Sequence, residues 1–204
     1  VTAVRVVLAT HNAHKAREFQ GILGSELPGL EIVAYDGPVP VEDGTSFEEN
    51  ALIKARAAAE HTGLPALADD SGICVDVMGG APGIFSAIWS GTHGDAAANL
   101  RLLLDQLADI PDTARAAHFT ATLALVVPGE EPTIVQGIWP GRIAREPRGD
   151  GGHGYDPIFV PDGHDVTAAE LAPEQKNAES HRARAFAAIV PALRELSAAE
   201  HAGS

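Results

Sequence analysis

Apolar and polar positions along this chain follow two periods, and the period switches from segment to segment. The run Arg5-Val-Val-Leu-Ala-Thr10 is apolar and β-branched, the pattern of a short buried strand. From about Ala13 to Leu23 the apolar residues Ala16, Phe19, Ile22 and Leu23 recur at helical spacing. Glu31 to Tyr35 predicts a second strand, and Asp36 to Thr45, with two prolines and two glycines, predicts a loop. A second helix is expected from Ser46. The stretch Ser46-Phe-Glu-Glu49 has capping-box spacing, in which the Ser hydroxyl and the Glu carboxylate satisfy free backbone N–H groups. Ala51 to Ala59 continues with strong helix formers, and Gly63 is the expected stop.

Ala66 to Ala68 and Ile73 to Val77 read as strand pieces interrupted by Asp69-Asp70-Ser71-Gly72. Gly79 to Gly83 reads as a loop, and Asn99 to Leu107 as a helix with Leu100, Leu103, Leu104 and Leu107 on one face. Ala114 to Val127 and Thr133 to Trp139 predict two long strands in a hairpin around Pro128-Gly-Glu-Glu-Pro132. A glycine-rich loop (Gly149 to Tyr155) and a short strand (Ile158 to Val160) follow. The last helix is expected from Ser180 to Leu196, burying Phe186, Ile189, Val190, Leu193 and Leu196, with a frayed tail after Ser197. Helices and strands alternate early and strands pair late. The expected fold is therefore α/β: a bent, mixed central sheet flanked by helices, in two lobes around a substrate cleft. No internal repeat occurs, so residues 1–204 are read as a single domain.

Composition narrows the partners. The 204 residues are 45% hydrophobic, enough for a proper core, and 14 basic against 28 acidic residues give a net charge of −14. That balance excludes a protein that grips nucleic-acid backbones, whose affinity comes from clustered Lys and Arg. It leaves room for a nucleotide, because carboxylates can hold a Mg²⁺ ion that carries phosphates. Cys74 is the only cysteine, so there is no intrachain disulfide, and its neighbours Ile73 and Val75 mark it as a small core residue. Val1 to Thr10 lacks the pattern of a signal peptide and no apolar run approaches about 20 residues. The expected location is the cytoplasm, with no membrane partner.

Five segments carry candidate chemistry. In Thr10-His-Asn12-Ala-His-Lys15 a strand end opens a helix, where free N–H groups and the helix dipole favour a phosphate; otherwise Asn12 is a cap and Lys15 a solvated charge. Asp69-Asp70-Ser71-Gly72 places two carboxylates at a strand end, as metal ligand and water activator or as a polar turn. Glu42 and Lys54 flank the capped helix without the structural explanation that Glu49 has. The loop Gly149-Asp-Gly-Gly-His-Gly-Tyr-Asp156-Pro157 either turns sharply or lets a ligand approach, with His153 or Tyr155 stacking on a base and Asp156 accepting from it. Lys176 with Ser180-His181-Arg182 sets cations near the start of the last helix, against its dipole, which favours a ligand-driven explanation. His93, His118 and His164 have no companions at ligand spacing.

Together these segments closely resemble the inosine/xanthosine triphosphate pyrophosphatase family, which hydrolyses purine nucleoside triphosphates with deaminated or damaged bases. The matching stretches are Leu8-Ala-Thr-His-Asn-Ala-His-Lys15, Ser46-Phe-Glu-Glu-Asn-Ala-Leu-Ile-Lys-Ala55, Ala68-Asp-Asp-Ser-Gly72, Gly79-Gly-Ala-Pro-Gly83, Trp139-Pro-Gly141, Gly151-Gly-His-Gly-Tyr-Asp-Pro-Ile-Phe159 and Ser180-His-Arg182. They follow the family's order from Leu8 to Arg182. The resemblance implies a homodimer and Mg²⁺-dependent release of pyrophosphate from ITP, dITP or XTP. It implies that Thr10, Asn12, Lys15 and Lys54 hold the triphosphate and that Glu42 and Asp70 hold the metal. Asp70, assisted by Asp69, would take the proton from water attacking the α-phosphorus. Ser71 and Gly72 would lie against the nucleotide, and His153, Gly154, Tyr155, Asp156, Lys176, His181 and Arg182 would line the base and sugar pocket. Two positions depart from the family pattern: His11 stands where glycine is common, and His153 where phenylalanine is common. The competing readings are a pyrophosphatase for pyrimidine or modified triphosphates, and a nucleotide sensor that lacks turnover.

Overall fold

The computed structural model describes residues 3–11, 19–21, 23, 26–27 and 29–202. Its framework is one six-stranded sheet flanked by helices, with strands β1 (Val4–Leu8), β2 (Leu30–Ala34), β3 (Ala66–Val75), β4 (Ala116–Val126), β5 (Thr133–Ile143) and β6 (Phe159–Pro161). Strand order across the sheet is β2-β1-β3-β4-β5-β6. β1 is parallel to both β2 and β3, whereas β5 and β6 run antiparallel, so the sheet is mixed as expected. The helices are α1 (Phe47–Thr62), α2 (Ala96–Gln106), α3 (Pro173–Glu179) and α4 (His181–Ala202). Most of the expected first helix, Ala13 to Leu23, lies outside the described residues.

Two compact units divide the chain. The first comprises Val1–Asp70, Thr122–Gln136 and Ala185–Ser204, and the second Ser71–Ala121 and Gly137–Arg184. In the first unit, α1 turns Ala51, Ala55, Ala58 and Ala59 onto Val7, Ala66, Ala68 and Ala124. Small side chains on both surfaces let the helix approach the strands closely, and packing density then rests on backbone contacts. The second unit is built from larger groups: Ile73, Leu100, Leu103, Leu107, Phe119, Trp139, Ile143 and Phe159. The Leu100-Leu103-Leu107 face of α2 is buried as its spacing predicts, with Leu104 half-buried.

One expectation needs correction. Asp69 to Gly72 do not interrupt a strand, because β3 runs unbroken from Ala66 to Val75. β3 pairs with β1 only at Ala66 and Leu67 and has β4 as its other neighbour, and its place in the sheet outweighs the turn preference of Asp-Asp-Ser-Gly. Helix α4 extends to Ala202. A separate helix, α3, precedes it. At seven residues, with a proline in its first turn, α3 is too short to show a period.

Candidate active site

The order β2-β1-β3 has a consequence for ligand binding. The chain leaves β1 for the neighbour on one side, then crosses through α1 to the neighbour on the other side. The carboxyl end of β1, between β2 and β3, is therefore a topological switch point, where open parallel sheets place their ligands. Register puts Leu8 beside Leu67, and the Ala9 amide donates to the Leu67 carbonyl at 2.8 Å. Thr10, half-buried, thus emerges at the level where Asp69 and Asp70 follow on β3. Asn12 and Lys15, the other expected phosphate ligands, lie outside the described residues. The two-residue period of a strand sends Asp70 to one face of β3 and Asp69 and Ser71 to the other. Gly72 is buried in the strand.

Lys54 meets Asp70 from α1. Its Nζ lies 3.2 Å from Asp70 Oδ1 and 3.0 Å from Glu42 Oε2, so one ammonium joins two carboxylates that are 28 residues apart (70 − 42). The lysine and Asp70 side chains are each 17% exposed, and Glu42 is 40% exposed. Burial pushes the Asp70 carboxyl above its ordinary range; the Lys54 charge opposes this, and Glu42 adds to it. Burial alone would lower Lys54, but Asp70, Glu42 and Asp69 outweigh it and raise its pKa. The asymmetry has a simple cause: the lysine has several acidic partners, while the acids share one ammonium.

The helix start organises this cluster. Ser46 Oγ accepts from the Glu49 amide at 3.2 Å, as the capping-box spacing predicts. The Glu49 carboxylate reaches one residue further than expected and takes the Thr45 amide and hydroxyl. Asn50, buried one turn before Lys54, accepts the Gly44 amide at 3.0 Å and lies near enough to Asp70 to favour its charged form slightly. Asn50 therefore ties down the loop that carries Glu42 close to the strand that carries Asp70. The sequence reading missed it, although a buried amide on an otherwise alanine-rich helix face is the signal that marks it.

Which of these groups suit a metal? Glu42 Oε2 and Asp70 Oδ1 converge on a single cation, here the ammonium, and both are hard oxygen donors. Among the described residues no group of three or more His, Cys, Asp or Glu is arranged to hold a metal. Two carboxylates with room for water and phosphate oxygens fit Mg²⁺, which rarely takes a full protein cage.

The remaining expected residues lie in the second unit. Asp156 is buried, and its Oδ2 accepts from Lys176 Nζ at 2.6 Å and from the His153 amide at 2.7 Å. Lys176 stands in the last turn of α3, where a cation suits the helix dipole, so the expected clash with the dipole does not apply to it. Tyr155 is core: it is buried, and its hydroxyl donates to the Ser86 carbonyl at 2.8 Å. Burial raises that hydroxyl far above its usual pKa. His153 is the exposed ring of the loop, and Gly154 is half-buried. His181 is buried and stacks on Phe119, centroids 4.8 Å apart and planes within 12°. Arg182 beside it is exposed. Cys74 is buried, as expected. His118 and His164, given no role, pair with Asp76 and Glu179 at 3.7 and 2.8 Å.

Comparison with known proteins shows the family and the fold. The model of the Ham1 family matches residues 6–192. A dITP/XTP pyrophosphatase of Leifsonia xyli subsp. xyli is 80% identical over 194 residues, covering 95% of this chain and 98% of its own. Another from Nocardia farcinica is 54% identical over 201 residues, covering 96% and 98%. Among solved structures, a nucleoside-triphosphatase / dITP/XTP pyrophosphatase from Mycobacterium abscessus superposes with a TM-score of 0.81 at 52% identity, covering 92% of this chain and all of that one. A HAM1 protein from Coxiella burnetii gives 0.85 at 43% identity, covering 94% and 99%.

Proposed function

This chain belongs to the Ham1 family, and from that premise we propose that it is a nucleoside triphosphate pyrophosphatase acting on purine triphosphates with deaminated or damaged bases. It hydrolyses ITP, dITP and XTP to the monophosphate and pyrophosphate and so keeps such bases out of the nucleotide pool. The observation that carries the reading is the Glu42–Lys54–Asp70 cluster at the switch point of the parallel strands. A triphosphate resists attack until its charge is offset, and this cluster supplies a lysine together with carboxylates for a metal.

Glu42 and Asp70 hold a divalent ion, Mg²⁺ in this reading, which when bound neutralises phosphate charge and polarises the phosphoryl oxygens. Thr10, Asn12, Lys15 and Lys54 bind the triphosphate oxygens and stabilise the departing pyrophosphate. Asp70 accepts a proton from the water that attacks the α-phosphorus, and Asp69, on the other face of β3, assists through its charge. Its burial supports this role, because a carboxylate pushed above its ordinary range is a better base. Ser71 and Gly72 border the nucleotide. His153, Gly154, Tyr155, Asp156, Lys176, His181 and Arg182 serve the base and sugar, with Arg182 and backbone groups reading the purine 6-oxo oxygen. The enzyme works as a homodimer in the cytoplasm; no helix among the described residues is long and apolar enough to cross a membrane.

The test is pyrophosphate release from ITP, XTP, ATP, GTP, dTTP and UTP, with Mg²⁺ and with a chelator, for wild type and Asp70→Asn. Metal-dependent release from ITP and XTP with little from the rest is expected. The substitution should cut turnover by about 10²–10⁴ while leaving the melting temperature near wild type. Release mainly from pyrimidine nucleotides, or near-normal turnover by Asp70→Asn, overturns the assignment.

A further inference from the structure

The point where Glu42 Oε2 and Asp70 Oδ1 converge is held by the chain's own ammonium, 3.0 and 3.2 Å away. The contact is no surface accident. Lys54 is 17% exposed, its helix is anchored on the alanine face beside it, and Asn50 one turn earlier fixes the Gly44 end of the Glu42 loop close to Asp70. We propose that Lys54 is a resident counter-ion of the metal site, which a divalent cation must displace, so that metal binds tightly only when a triphosphate arrives to receive the lysine. This rests on the reading of Glu42 and Asp70 as the metal ligands.

The argument is electrostatic and steric. A Mg²⁺ ion bonds oxygen at about 2.0–2.1 Å. An ion at that distance from both carboxylates comes within a few ångströms of Nζ, where two positive charges in a half-buried site repel strongly. The ammonium must therefore swing away. On the protein alone it would leave two carboxylates for water. A bound triphosphate offers it new oxygens of the same charge, which removes the cost of the exchange. Metal and nucleotide are then positively coupled through one side chain, and by linkage each raises the affinity of the other by the same factor. The same contact keeps Asp70 engaged in an ion pair until substrate is present, so the water-activating carboxylate is released only with its target in place.

Mn²⁺ alone is the probe, because its free and bound forms are distinguished by electron paramagnetic resonance without turnover. Lys54→Met and Lys54→Gln remove the ammonium with little change in length. Each should bind one Mn²⁺ per chain at least about tenfold more tightly than wild type in the absence of nucleotide, the charge having gone. Adding Glu42→Gln to Lys54→Met should erase the gain. Equal Mn²⁺ affinity in wild type and both single variants, or a gain that survives Glu42→Gln, overturns the proposal. A second readout needs no variant. Amine acylation mapped by mass spectrometry should modify Lys54 faster as Mn²⁺ is raised, with Lys176, paired to Asp156, as internal reference. A Lys54 rate that stays flat or falls at saturating Mn²⁺ overturns it equally. Neither readout uses hydrolysis. Failure to cleave ITP would remove the proposed function alone, whereas ITP cleavage with unchanged Mn²⁺ affinity in the variants would remove the counter-ion alone.

Discussion

Gly152 has a backbone φ of 77°, and a methyl group on it would overlap Asp156 Oδ2 and Lys176 Nζ. Both constraints act at one position, so Gly152→Ala should cost about 1–3 kcal/mol in strain and open the Asp156–Lys176 contact. Denaturant titration measures the first effect. The second should raise KM for ITP more than it lowers kcat, because the pair is assigned to the base and sugar. An unchanged KM would detach the pair from substrate binding. The density of glycine between 149 and 154 was legible in the sequence as a tight loop. That Gly152 lies against Lys176, 24 residues further on (176 − 152), was not. Tyr155 carries the same lesson. An aromatic ring in such a loop suggests stacking, but its hydroxyl is committed to Ser86, 69 positions away.

Among the elements, α1 shows local code and tertiary demand acting together. Ser46 at the cap, acidic Glu48 and Glu49 in the first turn and left-handed Gly63 at the end define the helix from sequence alone. Ser46→Ala should lower stability by about 1 kcal/mol, read from the midpoint of urea unfolding at constant slope. No change would mean that the Glu49 contacts to Thr45 suffice to hold the helix start. Strand β3 is the opposite case. Its polar centre imitates a turn, and only its place in the sheet keeps it extended and brings Asp70 opposite Lys54. Buried Arg115 was equally invisible: its guanidinium donates to the Leu107, Ile143 and Ala144 carbonyls, groups spread across 37 positions (144 − 107).

For the molecule as a whole, acid should be a stress with a definite sign. Glu49, Glu170 and Glu179 are each held below the ordinary carboxylate range, chiefly by the Thr45 amide, the Thr167 amide and His164 respectively. A carboxylate depressed in the fold contributes stability once pH exceeds its unfolded pKa, and that contribution is lost as pH falls through the folded value. The melting temperature should therefore fall as pH drops below about 4, and replacing all three by Gln should flatten that fall. An unaltered slope would assign acid unfolding to other groups. Asp70 runs the other way: its raised pKa makes ionisation a cost to the fold, incurred as pH rises from the unfolded value to the folded one.

The sequence by itself determined the α/β class, the caps of α1, the buried face of α2, the Phe186-Ile189-Leu193 face of α4 and the family, because caps and periodicities are short-range and the seven motifs keep their order. It also determined the net charge of −14. Only the tertiary structure decided that β3 is continuous, that Asn50 holds the Glu42 loop close to Asp70, and that Lys54 stands between two acids. Each of these depends on strand neighbours or on contacts across many residues. A local pattern names the groups present, whereas burial and long-range pairing fix which charges meet and therefore what they do.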